Sequence, residues 1–291
     1  MDGKMGFITM FDNLIVKKDS PLVKGCKKEL SKKKQPGNNM ASPGYLCYTA
    51  TEPIRKERFP MIKAVLFDMY ETLCSHYRSP LYFGAHMADD CGIPRDVFLP
   101  LWRDAAREEA RTLGQLSLEA QLEYILPRCG ITDEARLTSL IRQLCRKRYQ
   151  TKQLCLRNLH PDILPMLRAL KEKGLKLAVV SNCYLEEAKA IHEWPESQLF
   201  DALVLSCEQG VRKPDPAIYQ RCMEQLGVAP QECLFIGDGG SCELEAAEEL
   251  GMNALQALWY VRGVNGHPSE EMEEFWGLEE PMEVLAAVER Q

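Results

Sequence analysis

The chain has 291 residues, 45% of them hydrophobic, and a formal net charge of -6. That length suffices for two packed units or one large one, and the acidic balance argues against general nucleic-acid affinity. No stretch approaches the ~20 apolar residues of a membrane span, and the 12 cysteines are scattered without a C-x-x-C pair or a Cys/His cluster, which argues against zinc.

Residues 1 to 60 carry most of their charge as Lys, including Lys27, Lys28, Lys32, Lys33 and Lys34. They contain the turn-rich run Gln35-Pro36-Gly37-Asn38-Asn39 and no sustained apolar period. Such a segment cannot bury enough surface to offset its ordering entropy, so it is expected to be a basic, disordered N-terminal extension. A nucleic-acid or membrane-surface arm is the less favoured reading. A third takes Met61 as the natural start. The first residues lack the apolar core of a signal peptide, so a cytoplasmic protein with reduced thiols is expected.

From Met61 the pattern changes. Ile62 to Phe67 is a mostly apolar run, as in a strand buried on both faces. Residues 80 to 155 then read as helices only. Pro94 opens a long one through Leu113, and Ser117 caps the next. Asp133 to Tyr149 places Leu137, Leu140, Ile141, Leu144 and Cys145 on one face. Beyond them, strands alternate with single helices. Leu175 to Val180, Cys233 to Ile236 and Ala254 to Leu258 are strand-like. Pro161 to Lys173 is a helix stopped by Gly174. Asp215-Pro216 starts another that Gly227 ends, and Ser241 caps a third that Gly251 closes. This alternation predicts an α/β fold: a Rossmann-like parallel sheet with right-handed crossovers, flanked by helices. The expected division is a core of 61–79 and 156–291 with a helical insert at 80–155.

In open parallel sheets, ligands bind beyond the carboxyl ends of the strands. The first strand ends in Phe67-Asp68-Met69-Tyr70-Glu71-Thr72-Leu73 and the second in Val180-Ser181-Asn182. Gly210-Val211-Arg212-Lys213-Pro214-Asp215 follows the third. The fourth ends in Ile236-Gly237-Asp238-Gly239-Gly240-Ser241-Cys242-Glu243. Singly, each has a bland explanation as a turn, a cap or a solvated charge; as an ordered set at successive strand ends they read as one site. The set resembles the haloacid dehalogenase-like hydrolase superfamily over about residues 61 to 290, and the insert resembles its first cap type.

The resemblance implies that Asp68 is a nucleophile forming a covalent ester that water cleaves. Ser181 donates to a substrate oxygen, and Lys213 holds both Asp68 and substrate. Asp238, Glu243, Asp68 and the backbone carbonyl of Tyr70 bind Mg2+. A charge count supports a metal separately. Three carboxylates share one assigned cation, and two like charges at ~4 Å repel by ~4 kcal/mol at an effective dielectric near 20. Magnesium prefers such hard oxygen ligands. Asn182, Arg78 and Arg111 are candidate substrate ligands. Arg111 shares a face with Arg103 and Arg107, which an exposed, ion-paired helix would also explain. The expected partner is a small-molecule substrate, without nucleic acid or membrane, in a monomer or homodimer.

Tyr70 departs from the phosphatase pattern, where a second Asp protonates the leaving group. A phenol with pKa near ~10 is a poor base, and loss of a general acid–base costs ~10² to 10⁴ in rate. Glu71 is a substitute, although along an extended segment it points away from Tyr70. The expected activity is a metal-dependent phosphohydrolase favouring good leaving groups. The rival is a 2-haloacid dehalogenase, whose family members carry Tyr here but work without metal. A fold that binds without turnover is the third reading.

Overall fold

The computed structural model describes residues 8–11, 14–17, 61–262, 267 and 269–290. Within the first sixty residues, β1 (Ile8–Phe11) pairs antiparallel with β2 (Leu14–Lys17), a ladder not expected from composition. The rest of that basic segment, with its expected disorder, lies outside the described residues.

The main sheet has six parallel strands: β3 (Ala64–Phe67), β4 (Lys176–Ser181), β5 (Ala202–Leu205), β6 (Cys233–Gly237), β7 (Asn253–Ala257) and the two-residue β8 (Gly277–Leu278). Their order is β5-β4-β3-β6-β7-β8. β3 is central and pairs with β4 and β6, its four side chains all buried. Because side chains alternate along a strand, Val65 and Phe67 join the core on one face and Ala64 and Leu66 that on the other.

Each face is covered by helices whose apolar spacing matches its burial. On the first, α6 (Ile163–Glu172) buries Ile163, Met166, Leu167 and Leu170, beside α7 (Leu185–Glu193), the short α8 (Ser206–Gln209) and α11 (Glu283–Arg290). On the second, α9 (Pro216–Leu226) buries Ile218, Tyr219, Cys222, Met223 and Leu226, beside α10 (Glu243–Glu249). Each such side chain contributes roughly 1.5–3 kcal/mol when fully buried. The expected punctuation is present: Asp215 accepts from the Ala217 amide with Pro216 in the first turn, and Gly174, Gly227 and Gly251 take positive φ.

Between β3 and β4 runs a helical insertion with its own core. It comprises α1 (Gly84–Cys91), α2 (Arg95–Trp102), α3 (Ala105–Thr112), α4 (Leu118–Arg128) and α5 (Glu134–Arg157). Gly84 packs against the Trp102 indole, where a Cβ would come within 2.6 Å. Ser117 caps α4 by accepting from the Ala120 amide. The single helix expected from Pro94 to Leu113 is two. Pro100 lacks the amide that would bond back to Asp96, and Asp104 turns extended and caps Arg107. α5 continues past Tyr149 because its last turns bury Lys152, Cys155 and Leu156. No helix among the described residues is long and apolar enough to cross a membrane.

Candidate active site

The loops that follow β3, β4, β5 and β6 bring the strand-end residues together. Asp68 continues the ladder beyond β3, its amide donating to Ile236 O at 2.9 Å. Lys213 Nζ, 3% exposed as a side chain, lies 2.5 Å from both Asp68 Oδ1 and Glu243 Oε2. The ligand oxygens of Asp68, Asp238 and Glu243 lie within 4.8 Å of one another, and all three residues are buried. Gly237 makes room for this, since a Cβ there would meet Glu243 Oε1 at 2.1 Å.

Burial raises the Asp68 pKa to about 6, with Lys213 opposing and Asp238 adding to the rise. Burial likewise pushes Glu243 well above the carboxylate range. Burial works against the charge of Lys213, but Asp68 and Glu243 outweigh it and hold that pKa above its ordinary value. One ammonium cannot neutralise three buried carboxylates. The donor set therefore fits a hard divalent cation, which would supply the missing charge and which prefers oxygen ligands.

Ser181 ends β4 with its hydroxyl buried and without a hydrogen-bond partner, so it is free to donate. Asn182 has another task. Its Oδ1 accepts from the Lys213 amide at 2.7 Å, and its Nδ2 donates to Lys213 O at 3.0 Å and Ser241 Oγ at 3.3 Å. The side-chain amide is thus spent on holding the Lys213 loop, which leaves it little capacity for a substrate. Ser241 does not cap α10 as expected. Ser241 and Cys242 both adopt left-handed backbone, with φ of 57° and 53°, and the helix starts at Glu243. Consecutive non-glycine residues there store strain of ~1–3 kcal/mol each.

Tyr70 is turned into the protein. Its hydroxyl is buried without a hydrogen-bond partner, its ring meets His76 edge-on at 4.4 Å, and burial raises its pKa well above 10. Glu71 does not lie in an extended segment. At φ 61° it starts a tight turn, its amide donating to Cys74 O. Its carboxylate accepts from Ser75 Oγ at 2.6 Å and the His76 amide at 2.9 Å.

Arg111 is buried and donates to Glu186 Oε1 at 2.7 Å, between the rings of Tyr184 and Trp102. The exposed Arg78 lies over the Tyr260 ring. Neither set of contacts includes Asp68, Ser181 or Lys213. Arg103 lies between α2 and α3, so the three arginines do not share one helix face. Arg107 is bonded to Gln121 and stacked on Tyr124.

Sequence reasoning missed the segment that closes one side of the site. Ser269 Oγ donates to Asp238 Oδ2 at 2.5 Å. The buried Gln256 donates to Asp238 O at 2.9 Å and Glu270 O at 2.8 Å and accepts from the Met272 amide at 2.9 Å. His267 Nε2 lies 3.5 Å from Glu71 Oε2. A polar stretch after the last expected strand carries no pattern that announces these contacts.

The family described as haloacid dehalogenase-like hydrolase matches residues 62–251. A glyceraldehyde 3-phosphate phosphatase from Methanopyrus kandleri is 28% identical over 208 residues, 66% of this chain and 82% of that protein. The (S)-2-haloacid dehalogenase 4A of Burkholderia cepacia is 27% identical over 210 residues, 67% of this chain and 82% of that one. Among solved structures, a HAD family enzyme from Bacteroides thetaiotaomicron in complex with magnesium and inorganic phosphate aligns with a TM-score of 0.51. It is 17% identical and the alignment covers 67% of this chain and 94% of that one.

Proposed function

The chain belongs to the haloacid dehalogenase-like hydrolases, and from that premise we propose that it is a magnesium-dependent phosphohydrolase acting on a small phosphorylated metabolite. The observation that carries this reading is the buried trio Asp68, Asp238 and Glu243 around one ammonium. A divalent cation at that trio, with the Tyr70 carbonyl as a further ligand, supplies charge neutralisation to phosphate and carboxylates. Asp68 attacks phosphorus and forms an aspartyl-phosphate. Ser181 donates its unpartnered hydroxyl to a phosphate oxygen. Lys213 balances the charge that gathers on the transferring group, and Asn182 fixes its loop.

Residues 80–155 serve as a cap over a core of 61–79 and 156–291, and substrate choice falls to residues of that cap, Arg111 among them, and to Arg78 beside it. With Tyr70 in place of a carboxylate, acyl phosphates, aryl phosphates and phosphoanhydrides turn over faster than alkyl phosphates. The Methanopyrus phosphatase adds support for phosphate chemistry. A second reading, metal-independent hydrolysis of a carbon–halogen bond, draws on Tyr70 and the Burkholderia relative; the acidic trio weighs against it.

Both readings meet one assay. Purified protein receives phosphate esters, acyl phosphates and 2-chloropropionate, each with magnesium or with EDTA. Phosphate release that EDTA abolishes is expected. Chloride release insensitive to EDTA overturns the proposal in favour of the second reading, and release of neither ion leaves a binding protein.

A further inference from the structure

We propose that His267, aligned by Glu71, is the proton donor and acceptor that the Tyr70 position does not supply. This inference rests on the phosphohydrolase reading above and replaces the leaving-group preference drawn there from Tyr70 alone. The Tyr70 hydroxyl is buried against the core side of its loop, and both oxygens of Glu71 are engaged by Ser75 and His76. Neither is free to follow a proton through the reaction. His267 differs in lying on the segment that closes the site, where Ser269 bonds to Asp238.

Its side chain is 2% exposed, yet Nε2 makes no hydrogen bond. Nδ1 donates to Ser269 O at 3.2 Å, an arrangement that keeps the proton of the neutral ring on Nδ1 and leaves Nε2 to gain and lose its own. That nitrogen lies 3.5 Å from Glu71 Oε2. The imidazole is also fixed relative to the acidic trio. Ser269, two residues on, bonds to the Asp238 carboxylate, and Gln256 ties the Asp238 carbonyl to Glu270 and Met272. Met272 in turn packs where a Cβ on Gly239 would stand, 2.7 Å from its sulfur. Tyr77 packs on the imidazole at 5.4 Å between centroids. The charged and titratable groups facing it are therefore the carboxylates of Glu71 and Asp238 and the Tyr77 phenol. Burial alone would disfavour the imidazolium, but Glu71, Asp238 and the Ser269 backbone outweigh it and raise the His267 pKa.

In the first half-reaction an Asp68 oxygen bonds to phosphorus and the bond from phosphorus to the leaving oxygen breaks. The electron pair stays on that oxygen, which takes the Nε2 proton of imidazolium. In the second, water attacks phosphorus, its proton passes to neutral Nε2, and the phosphorus–Asp68 bond breaks. The sum is ester plus water to alcohol plus phosphate, with His267 restored.

The test compares wild type, His267→Gln and Glu71→Gln with magnesium, using acetyl phosphate, an aryl phosphate and glycerol phosphate. A general acid contributes ~10² to 10⁴ where the leaving group needs its proton. His267→Gln is therefore expected to lower kcat/KM on glycerol phosphate by ~10² to 10⁴ and on acetyl phosphate by less than ~10-fold. Glu71→Gln removes an anion beside the imidazolium, so the alkaline limb of its kcat/KM profile moves to lower pH. A merely structural role moves neither the leaving-group dependence nor that limb. Equal losses on all three substrates, or none, overturn the proposal while leaving the phosphohydrolase standing. Should His267→Gln not fold, an unshifted limb in Glu71→Gln overturns it alone. A wild type that releases no phosphate from any of them overturns both.

Discussion

Asp68 carries opposing demands: burial favours its neutral form, and nucleophilic attack requires the anion. Replacement by Asn keeps the shape and removes the nucleophile. Turnover should fall by at least ~10⁴-fold, measured as steady-state phosphate release; residual activity within tenfold of wild type would rule Asp68 out as nucleophile. A carboxyl whose pKa rises from 3.8 to about 6 on folding binds its proton more tightly when folded. Its contribution to stability is present below about pH 4 and fades as pH climbs through about 6. Magnesium competes for the same oxygens, so its stabilising shift in Tm should be small at pH 5 and larger at pH 7, read by calorimetry. The sequence already pointed to Asp68, Ser181 and Asp238, because each sits at or just past the end of a strand that a hydrophobic run locates; Lys213, beyond β5 and the short helix after it, and Glu243 were reached only through the motifs they belong to. It was silent on Asn182 holding Lys213 and on His267, since those contacts join residues 31 and 196 positions apart (213 less 182, 267 less 71).

Among the elements, apolar runs and stop signals marked β3, β4, β6 and β7 and the covering helices α6, α9 and α10, left β5, α7 and α11 unread, and failed where local chemistry overrode them. Read by period alone, α2 and α3 run together; the Asp104 cap divides them. β8 is too short to show a period. Glu71 reads as extended until its φ of 61° is seen. The helices also hold charge that a hydrophobic reading misses. Arg148 of α5 is fully buried, 2.7 Å from Glu186 and 3.5 Å from Glu187 on α7, and Lys152 lies 2.6 Å from Glu187. Removing Arg148 takes one of two cations from each carboxylate, leaving Glu186 to Arg111 and Glu187 to Lys152, so Arg148→Met should cost about 1–3 kcal/mol. Urea unfolding measures it, and a loss below ~1 kcal/mol would mean that water reaches the pair.

At the scale of the whole molecule, the parallel sheet gathers the chemistry at one edge and the insertion rests above it. The two meet through named contacts. Ser206 Oγ donates to Thr112 O at 2.8 Å, Arg212 pairs with Glu109 at 2.8 Å, and Arg111 and Arg148 pair with Glu186. Lifting the insertion off the sheet is therefore less a peeling of oil from oil than a wetting of ions. Paired, and in the case of Arg111, Arg148 and Glu186 withdrawn from solvent, these charges feel less of the surrounding electrolyte; parted, each gathers its own ionic atmosphere. Added salt should favour the parted form. If opening limits turnover, kcat should rise with ionic strength at saturating substrate, and a flat or falling kcat would place the slow step in chemistry. The same acidic and basic residues that make closure specific would then let the ionic composition of the medium set the pace at which substrate is exchanged.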